Sequence, residues 1–393
     1  MESFDVTIIG AGVVGCAVAR EASRLSLKIA VLEKELDVAC GNSSRNTGML
    51  HAGFTYAPGS LKAACAVEGN QEFDQVAQEL DVPFKRTGKL VVGFDEKDRE
   101  NILKFKKIGE INGVRGMEMI DRKRMDEIDP NAGGNFAMYV PSSGILDPMQ
   151  YTIALAENAC ANGVCFRFGH KVERISRLED GWMLHTSKGD VKTKWVINCA
   201  GMYASQISAM LGYPEYPVRG FKGEYYVLDK KAGKNMPIPI YPAPNEKGGF
   251  ATHATPTIDG NVLVGPDSYL TEGLEDYKVT KEHMDGLYTD GLKMFKEMKR
   301  EYFIRNFAGI RWKIYDPATG ENKDFVLESD GANPFTVNLV GIESPGLTCA
   351  LPLARRAVSI LKEKENPAPN PAFNPWNRIF YILWFKLEKL LLS

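Results

Sequence analysis

The sequence predicts an α/β fold in which a Rossmann-like domain is interwoven with a second, α+β domain built on an antiparallel sheet. Three observations lead to this prediction. A strand–helix–strand pattern fills the first 33 residues, and the segment 213–266 combines aromatic residues, glycine and proline with alternating runs. The chain of 393 residues is also longer than one hydrophobic core usually fills, which is roughly 250–300 residues.

Hydrophobic periodicity predicts the elements in chain order. Residues 5–9 are largely β-branched and apolar and are followed by glycine, as in a buried parallel strand. Residues 13–25 have helical spacing, and residues 28–33 form a second strand pattern. Further expected helices lie at 68–80, 95–128, 150–161, 272–303 and 347–362, and further expected strands at 89–94, 194–200 and 335–340.

These elements suggest domain bounds. We expect the first domain to comprise residues 1–80, 145–212 and 305–365, and the second domain residues 81–144 and 213–304. The proline-rich segment 366–375 is expected to be a linker that detaches a C-terminal amphipathic helix, 376–393, from the fold.

Composition excludes several classes of protein. A formal charge of −2 offers no basic face for nucleic acid. Seven cysteines without any C-x-x-C pair indicate reduced thiols rather than a metal site. No signal peptide precedes the apolar run at Val6, and no uninterrupted apolar stretch of about 18 residues is present. We therefore expect a cytoplasmic protein that is at most peripheral on the inner face of a membrane.

The glycine motif Gly10-Ala-Gly12-Val-Val-Gly15 stands between the first strand and the first helix. In that position the glycines allow a tight turn and close approach of a pyrophosphate to the helix N-terminus. Glu33 ends the second strand, where a carboxylate can accept hydrogen bonds from ribose hydroxyls. The motif predicts a dinucleotide site and argues against NADP, but it does not separate FAD from NAD.

Three further segments carry a resemblance to a known family. The polar, glycine-containing run 42–53 follows the acidic strand directly, Val196-Ile-Asn-Cys-Ala-Gly201 ends a later strand, and Gly341-Ile-Glu-Ser-Pro-Gly-Leu-Thr348 opens the last helix. Together with the glycine motif, they resemble the FAD-dependent D-amino-acid-oxidase-like superfamily. This resemblance implies FAD as the cofactor. It implies cofactor contacts at Gly10, Gly12, Gly15, Glu33, Lys34, Ser44, Arg45, Asn46, Thr47, Gly48, Leu50, Val172, Ala200, Gly201, Gly346, Leu347 and Thr348.

Within this superfamily the sequence most resembles the L-2-hydroxyglutarate dehydrogenases. The likeness rests on the runs 45–53, 87–90, 240–244 and 253–266. Two departures point towards the glycerol-3-phosphate dehydrogenases and oxidases, namely a lysine at position 222 and the turn 344–348. The resemblance therefore implies oxidation of a small anionic 2-hydroxy compound, best L-2-hydroxyglutarate, with glycerol 3-phosphate as the alternative. An amine or imino-acid oxidase is a third interpretation.

The resemblance and the chemistry together suggest five residues for the substrate site. His253 is the candidate base, because a neutral imidazole suits proton transfer near neutral pH. Arg311 and Lys222 are candidate anion clamps, Tyr225 a hydroxyl donor, and His51 a residue beside the flavin. The alternatives are a structural role for His253 and an exposed hairpin position for Lys222.

The tail 376–393 has tryptophans, leucines and lysines at helical spacing. That pattern is typical of a helix in a membrane interface, which would bring a quinone or another electron acceptor near the flavin. A helix that docks on the chain's own surface or on a partner subunit is the alternative, and such a partner would make this chain the flavin subunit of a larger electron-transfer complex.

Overall fold

A computed structural model describes residues 2–376 of the chain. The helices are α1 (Val13–Ala22), α2 (Leu61–Leu80), α3 (Glu96–Ile111), α4 (Arg122–Ile128), α5 (Pro148–Ala161), α6 (Ala204–Met210), α7 (Lys230–Gly233), α8 (Lys281–Met294) and α9 (Gly346–Glu365). Short 3₁₀ turns lie at Asn42–Ser44, Gly201–Tyr203 and Arg300–Tyr302.

The strands alternate with these helices along the chain. They are β1 (Glu2–Ile9), β2 (Ile29–Glu33), β3 (Met49–Leu50), β4 (Phe84–Lys85), β5 (Leu90–Gly93), β6 (Glu118–Asp121), β7 (Phe136–Tyr139), β8 (Gly144–Leu146), β9 (Cys165–Phe168), β10 (Val172–Leu178), β11 (Gly181–Thr186), β12 (Gly189–Asn198), β13 (Val218–Leu228), β14 (Ile240–Pro242), β15 (His253–Pro256), β16 (Val262–Gly265), β17 (Tyr269–Thr271), β18 (Phe303–Ile314), β19 (Val326–Glu328) and β20 (Thr336–Val340).

The first sheet has the order β10-β11-β12-β1-β2-β9, with β20 beside β12 and β19 beside β20. Its centre is parallel, because β1 pairs in parallel with β2 and β12, and β12 pairs in parallel with β20. Helices α1, α2, α5 and α9 cover one face and form the largest apolar cluster with it. This arrangement is the expected Rossmann-like half of the fold, and the first βαβ unit spans residues 2–33.

The second sheet has the order β17-β13-β16-β15-β14-β5-β7-β6, and β18 also pairs with β13. Its strands are mostly antiparallel, and only β14 and β5 run in parallel. They come from residues 90–139 and 218–314, between which the chain returns to the first sheet. The predicted interwoven α/β architecture is therefore confirmed.

Several elements differ in detail from the sequence prediction. The helix expected at 68–80 begins at Leu61, because Ser60 caps it by accepting a hydrogen bond from the Ala63 amide. The charged segment 95–128 contains two helices separated by β6 rather than one helical run. Strand β18 belongs to the second sheet, although the expected boundary at 305 assigned most of it to the first domain. The domain bounds stay a prediction.

The proline-rich segment 366–375 is docked on the first domain rather than detached from it. The Asn370 amide donates to the Arg24 carbonyl, 2.7 Å away, and the Ser26 amide donates to the Ala368 carbonyl at 2.8 Å. Asn158 of α5 donates to the carbonyls of Asn374 and Pro375. The expected helix 376–393 lies outside the described residues except for Trp376. In the described part of the chain, residues 2–376, no helix has the length and apolar character needed to cross a membrane.

Candidate active site

The glycine turn between β1 and α1 has the geometry that a pyrophosphate requires. Gly10 has φ +104°, and a Cβ there would lie 2.5 Å from the Cys199 carbonyl oxygen. A Cβ on Gly15 would clash with the Gly10 carbonyl oxygen. Helix α1 starts after Gly12 and has no acidic residue in its first turn, and its Val13 amide donates to the Ser43 hydroxyl at 2.9 Å. This helix N-terminus can therefore accept a phosphate, which fits the expected dinucleotide.

Glu33 lies at the end of β2, next to the glycine turn. One carboxylate oxygen accepts a hydrogen bond from the Ala11 amide at 2.7 Å, and the other accepts from the Glu35 amide at 2.9 Å. These bonds hold the carboxylate beside the turn and leave lone pairs free for ribose hydroxyls. The neighbouring Lys34 is ion-paired with Glu35 and, at 2.7 Å, with Glu275.

The loop 42–54 follows the first sheet, packs against β18 of the second and contains β3, which forms a separate three-stranded sheet with β8 and β4. Asn46 braces it by donating to the Ser43 carbonyl and accepting from the Gly48 amide, and Ser44 donates to the Ala39 carbonyl. The backbone of Arg45 lies directly against Gly309 of β18, where any Cβ would clash with the Arg45 carbonyl oxygen. The loop then enters β3, where Leu50 is fully buried.

Two other expected cofactor segments end near the same edge of the first sheet. Ala200 and Gly201 follow β12, where the Ala200 amide donates to the Asn198 side chain. Ala200 packs against the apolar cluster that contains Val172. Gly346, Leu347 and Thr348 form the first turn of α9, and the Thr348 hydroxyl accepts from the His51 amide at 3.0 Å. The segments named by the resemblance are thus brought together around one edge of the first sheet.

One face of the second sheet carries most of the expected substrate residues. Tyr241 of β14 pairs with Val91 of β5, and its ring stacks on His253 of β15 with centroids 3.7 Å apart. Tyr225 of β13 is opposite Phe307 of β18 and stacks on it at 4.5 Å. Residues opposite each other in a ladder share a face. Gly309, two residues after Phe307, lies on that face as well, so the face looks towards the loop 42–54.

His51 of the loop 42–54 joins Tyr225, Tyr241, His253 and Arg311 in one cluster at this face, and both histidines are held neutral. Burial, with smaller effects of the nearby Lys89 and Arg311, lowers the pKa of His253 to about 3. Burial, followed by the charge of Lys89, lowers the pKa of His51 well below its usual value. Nδ1 of His253 lies 3.1 Å from the Ala251 carbonyl, which favours the tautomer with the proton on Nδ1. Nε2 is then an acceptor, and in the described structure it has no hydrogen-bond partner.

Arg311 lies on the same face of the sheet, opposite Phe221. Its guanidinium donates to the Ser268 hydroxyl at 3.1 Å. Within residues 2–376 it forms no ion pair, although its charge helps to lower the pKa of the buried Glu343. Its charge acts on both histidines and on Tyr225. Arg311 is therefore placed to hold an anion beside the imidazoles.

Lys222 does not join this cluster. It lies between Phe221 and Gly223 on β13, so its side chain points to the opposite face of the sheet. It is 1% exposed, and its Nζ lies 3.0 Å from Asp276 and 4.0 Å from the fully buried Glu224. The role of Lys222 as an anion clamp is thus not supported by its position, because the charge is already paired. The alternative of an exposed hairpin lysine does not apply either.

Sequence reasoning assigned no role to Lys89 or Tyr241, which the structure places in the cluster. Burial, chiefly, raises the pKa of the Tyr241 hydroxyl to about 12, and hydrogen bonding with Thr47 partly offsets it. Lys89 is fully buried on the same face. The available signal was its place in Thr87-Gly-Lys-Leu90, where a lysine directly precedes an apolar strand. No metal-binding group of three His, Cys, Asp or Glu side chains occurs within residues 2–376.

Comparison with known proteins agrees with this geometry. The family model described as FAD dependent oxidoreductase (DAO) matches residues 5–360. A glycerol 3-phosphate dehydrogenase of Caloramator mitchellensis is 37% identical over 95% of this chain and 77% of its own length. A mitochondrial L-2-hydroxyglutarate dehydrogenase of Caenorhabditis elegans is 29% identical over 91% of this chain and 93% of its own. The FAD-bound, dithionite-reduced L-alpha-glycerophosphate oxidase of Mycoplasma pneumoniae superposes with a TM-score of 0.88, at 27% identity, over 96% of this chain and 99% of that one.

The paired state of Lys222 gives a prediction about stability. Lys222→Met should lower the free energy of unfolding by about 2 kcal/mol, because the buried Glu224 and the half-exposed Asp276 lose their shared cation. Thermal unfolding of the purified protein measures this, with Lys230→Met as the control, since Lys230 is exposed on α7. Equal unfolding temperatures for the two variants would show that the Lys222 pair is not structural.

Proposed function

This chain belongs to the FAD dependent oxidoreductase family, binds FAD and oxidises a hydroxy-acid or alcohol substrate, and we propose that this substrate is glycerol 3-phosphate. The observation that carries the proposal is the position of Lys222. With that lysine on the far face, the half-buried Arg311 is the candidate clamp that remains beside His253 and Tyr225. One clamp suits a substrate with one anionic group, and a phosphate is such a group.

Two further observations support glycerol 3-phosphate. The relative named for it is 37% identical, and the oxidase named for L-alpha-glycerophosphate has nearly the same fold over nearly the whole chain. L-2-hydroxyglutarate is the second candidate. It is favoured by the motifs at 45–53, 240–244 and 253–266 and by the C. elegans relative. Its two carboxylates call for two cations in direct contact, and Lys89, which is fully buried behind the rings, does not provide the second contact.

In the proposed reaction the secondary alcohol becomes a ketone by loss of one hydride and one proton. FAD, when bound, is the hydride acceptor. His253 takes the hydroxyl proton on Nε2, which is unprotonated and without a partner. Arg311 holds the anionic end, which fixes the direction of the carbinol C–H bond. Tyr225 and Tyr241 wall the site with buried rings and help to exclude water.

The substrate is tested by anaerobic bleaching of the flavin absorption in the purified holoprotein. Glycerol 3-phosphate should reduce the flavin within seconds, whereas D-2-hydroxyglutarate, L-lactate and glycine should not. Rapid bleaching by L-2-hydroxyglutarate and none by glycerol 3-phosphate would reverse the order of the two candidates. No bleaching by either would contradict the proposed function.

The role of His253 is tested by His253→Ala. The variant should retain FAD but turn over about 10² times more slowly, because it lacks the proton acceptor. In the wild type, protonation of His253 should not reduce turnover between pH 5 and 9, because its pKa of about 3 lies below that range. His185→Ala is the control, since His185 bonds to Asp190 and Ser176 in the first sheet. Unchanged turnover in His253→Ala would remove this residue from the mechanism.

We also propose that residues 376–393 attach the protein to a membrane surface, where a quinone accepts the electrons. Support comes from the helical spacing of tryptophans, leucines and basic residues in that segment. Because residues 366–375 bind to the first domain, the truncation should end at Pro375 and keep these contacts. The truncated protein should lose cosedimentation with anionic vesicles by about tenfold or more and keep its activity with a soluble acceptor. Equal cosedimentation of both forms would exclude this anchor.

A further inference from the structure

We propose that Lys89 is a positioning residue for the proposed oxidation, whose buried amine behind His51 and His253 supplies a positive field that favours binding of the anionic substrate. This inference rests on the proposed function, because it requires a negatively charged substrate at the cluster of Tyr225, His253 and Arg311. Neither the glycine motif nor the loop 42–54, which are assigned to the cofactor, requires a lysine at position 89.

The backbone directs the Lys89 side chain to the active face, which is the face of the second sheet that carries Tyr225, His253 and Arg311. Lys89 precedes β5 and exchanges two backbone hydrogen bonds with Val140, at 3.1 and 2.9 Å. It lies two residues before Val91, so both side chains point to the face that carries Tyr241 and His253. The side chain is fully buried, so it does not itself line an open cleft. Any effect on the substrate is therefore exerted through space or through the neighbouring rings.

Aromatic rings surround the amine. The Nζ atom lies 4.4 Å from the ring centroid of Tyr241, 4.7 Å from that of Phe54 and 5.1 Å from that of Phe250. Such distances give cation–π attraction, which favours the charged form. Tyr241 in turn stacks on His253, so the amine lies one ring away from the candidate base.

The ammonium has no counter-ion in the described part of the chain. Its Nζ forms no hydrogen bond and no ion pair there, in contrast to Lys222. The titratable and charged groups that its charge meets are His51 from the cofactor loop, His253 from β15 and Tyr241 from β14, and Arg311 of β18 acts on the same two histidines. An unpaired buried cation costs folding free energy, and an arriving anion offsets part of that cost.

The charge on Lys89 changes within the physiological range. Burial lowers its pKa to about 7, so the amine is charged below that pH and neutral above it. A unit charge roughly 8 Å from an anion, at an effective dielectric constant of about 20, changes binding by about tenfold to a hundredfold. The charged form should therefore lower KM for the substrate at low pH. Turnover at saturation should not rise when Lys89 is protonated, because the same charge lowers the pKa of His253, so the gain should appear in KM.

The experiment compares kcat and KM of the wild-type holoenzyme and Lys89→Met with glycerol 3-phosphate from pH 5.5 to 9. L-2-hydroxyglutarate replaces it if the bleaching assay selects that substrate. The value of kcat/KM for the wild type is divided by that for the variant, which removes the effect of substrate ionisation because it is the same for both. This ratio should be tenfold to a hundredfold at pH 5.5 and fall to about one at pH 9, and the difference should appear in KM. Lys194→Met, which removes a lysine paired with Glu365 at the end of α9, should give a ratio of one throughout.

The FAD content and unfolding temperature of Lys89→Met separate an electrostatic role from a structural one. Methionine fills a similar volume and removes an unpaired buried amine, so the variant should bind FAD and unfold at the same or a higher temperature. A kcat/KM ratio of one at every pH would overturn the role of Lys89, and so would a ratio that is constant with pH and matches a loss of bound FAD. Either result would leave the proposed function standing. If neither substrate reduces the wild-type flavin, the proposed function fails and this inference is overturned with it.

Discussion

The contact between the loop 42–54 and strand β18 is the constraint on which the site depends. Gly309 lets the Arg45 backbone approach β18 directly, and the Asn42 side chain accepts a hydrogen bond from the Ile310 amide at 3.0 Å. The loop also touches the dinucleotide turn, where the Val13 amide donates to the Ser43 hydroxyl at 2.9 Å, so these contacts hold the cofactor edge of the first sheet against one face of the second. Of the residues assigned to substrate chemistry on the second sheet, Tyr225, His253 and Arg311 lie on that face and Lys222 lies on the opposite one.

Strand register explains which parts of the site could be predicted from sequence. The βαβ unit and the glycine motif depend on residues close in sequence, so their pattern alone predicted them. The face of Lys222 depends on the alternation of side chains along β13, where a shift of one residue reverses the direction of every side chain. Lys222 and Tyr225 lie three residues apart on β13 and therefore point to opposite faces of the sheet, but the sequence did not show that one continuous strand contains both. Lys89 was missed because a lysine at a strand end usually remains exposed.

Burial and charge explain how the two faces differ. On the face covered by α8, the charge of Lys222 is compensated by the carboxylates of Asp276 and Glu224, so it is not free to bind a ligand. On the active face, Lys89 has no carboxylate partner within residues 2–376, and the nearby imidazoles are held neutral. Arg311 forms no ion pair there, although its charge contributes to the lowered pKa of the buried Glu343. This positive charge beside neutral bases suits an anionic alcohol that must lose a proton.

The most direct test of this account is a crystal structure of the holoprotein with its substrate or a non-reacting analogue bound. The ligand should lie between the loop 42–54 and the face of the second sheet that carries Tyr225 and His253. Its hydroxyl should be at Nε2 of His253 and its anionic group on Arg311. A ligand bound on the opposite face, with its anionic group on Lys222, would contradict the account.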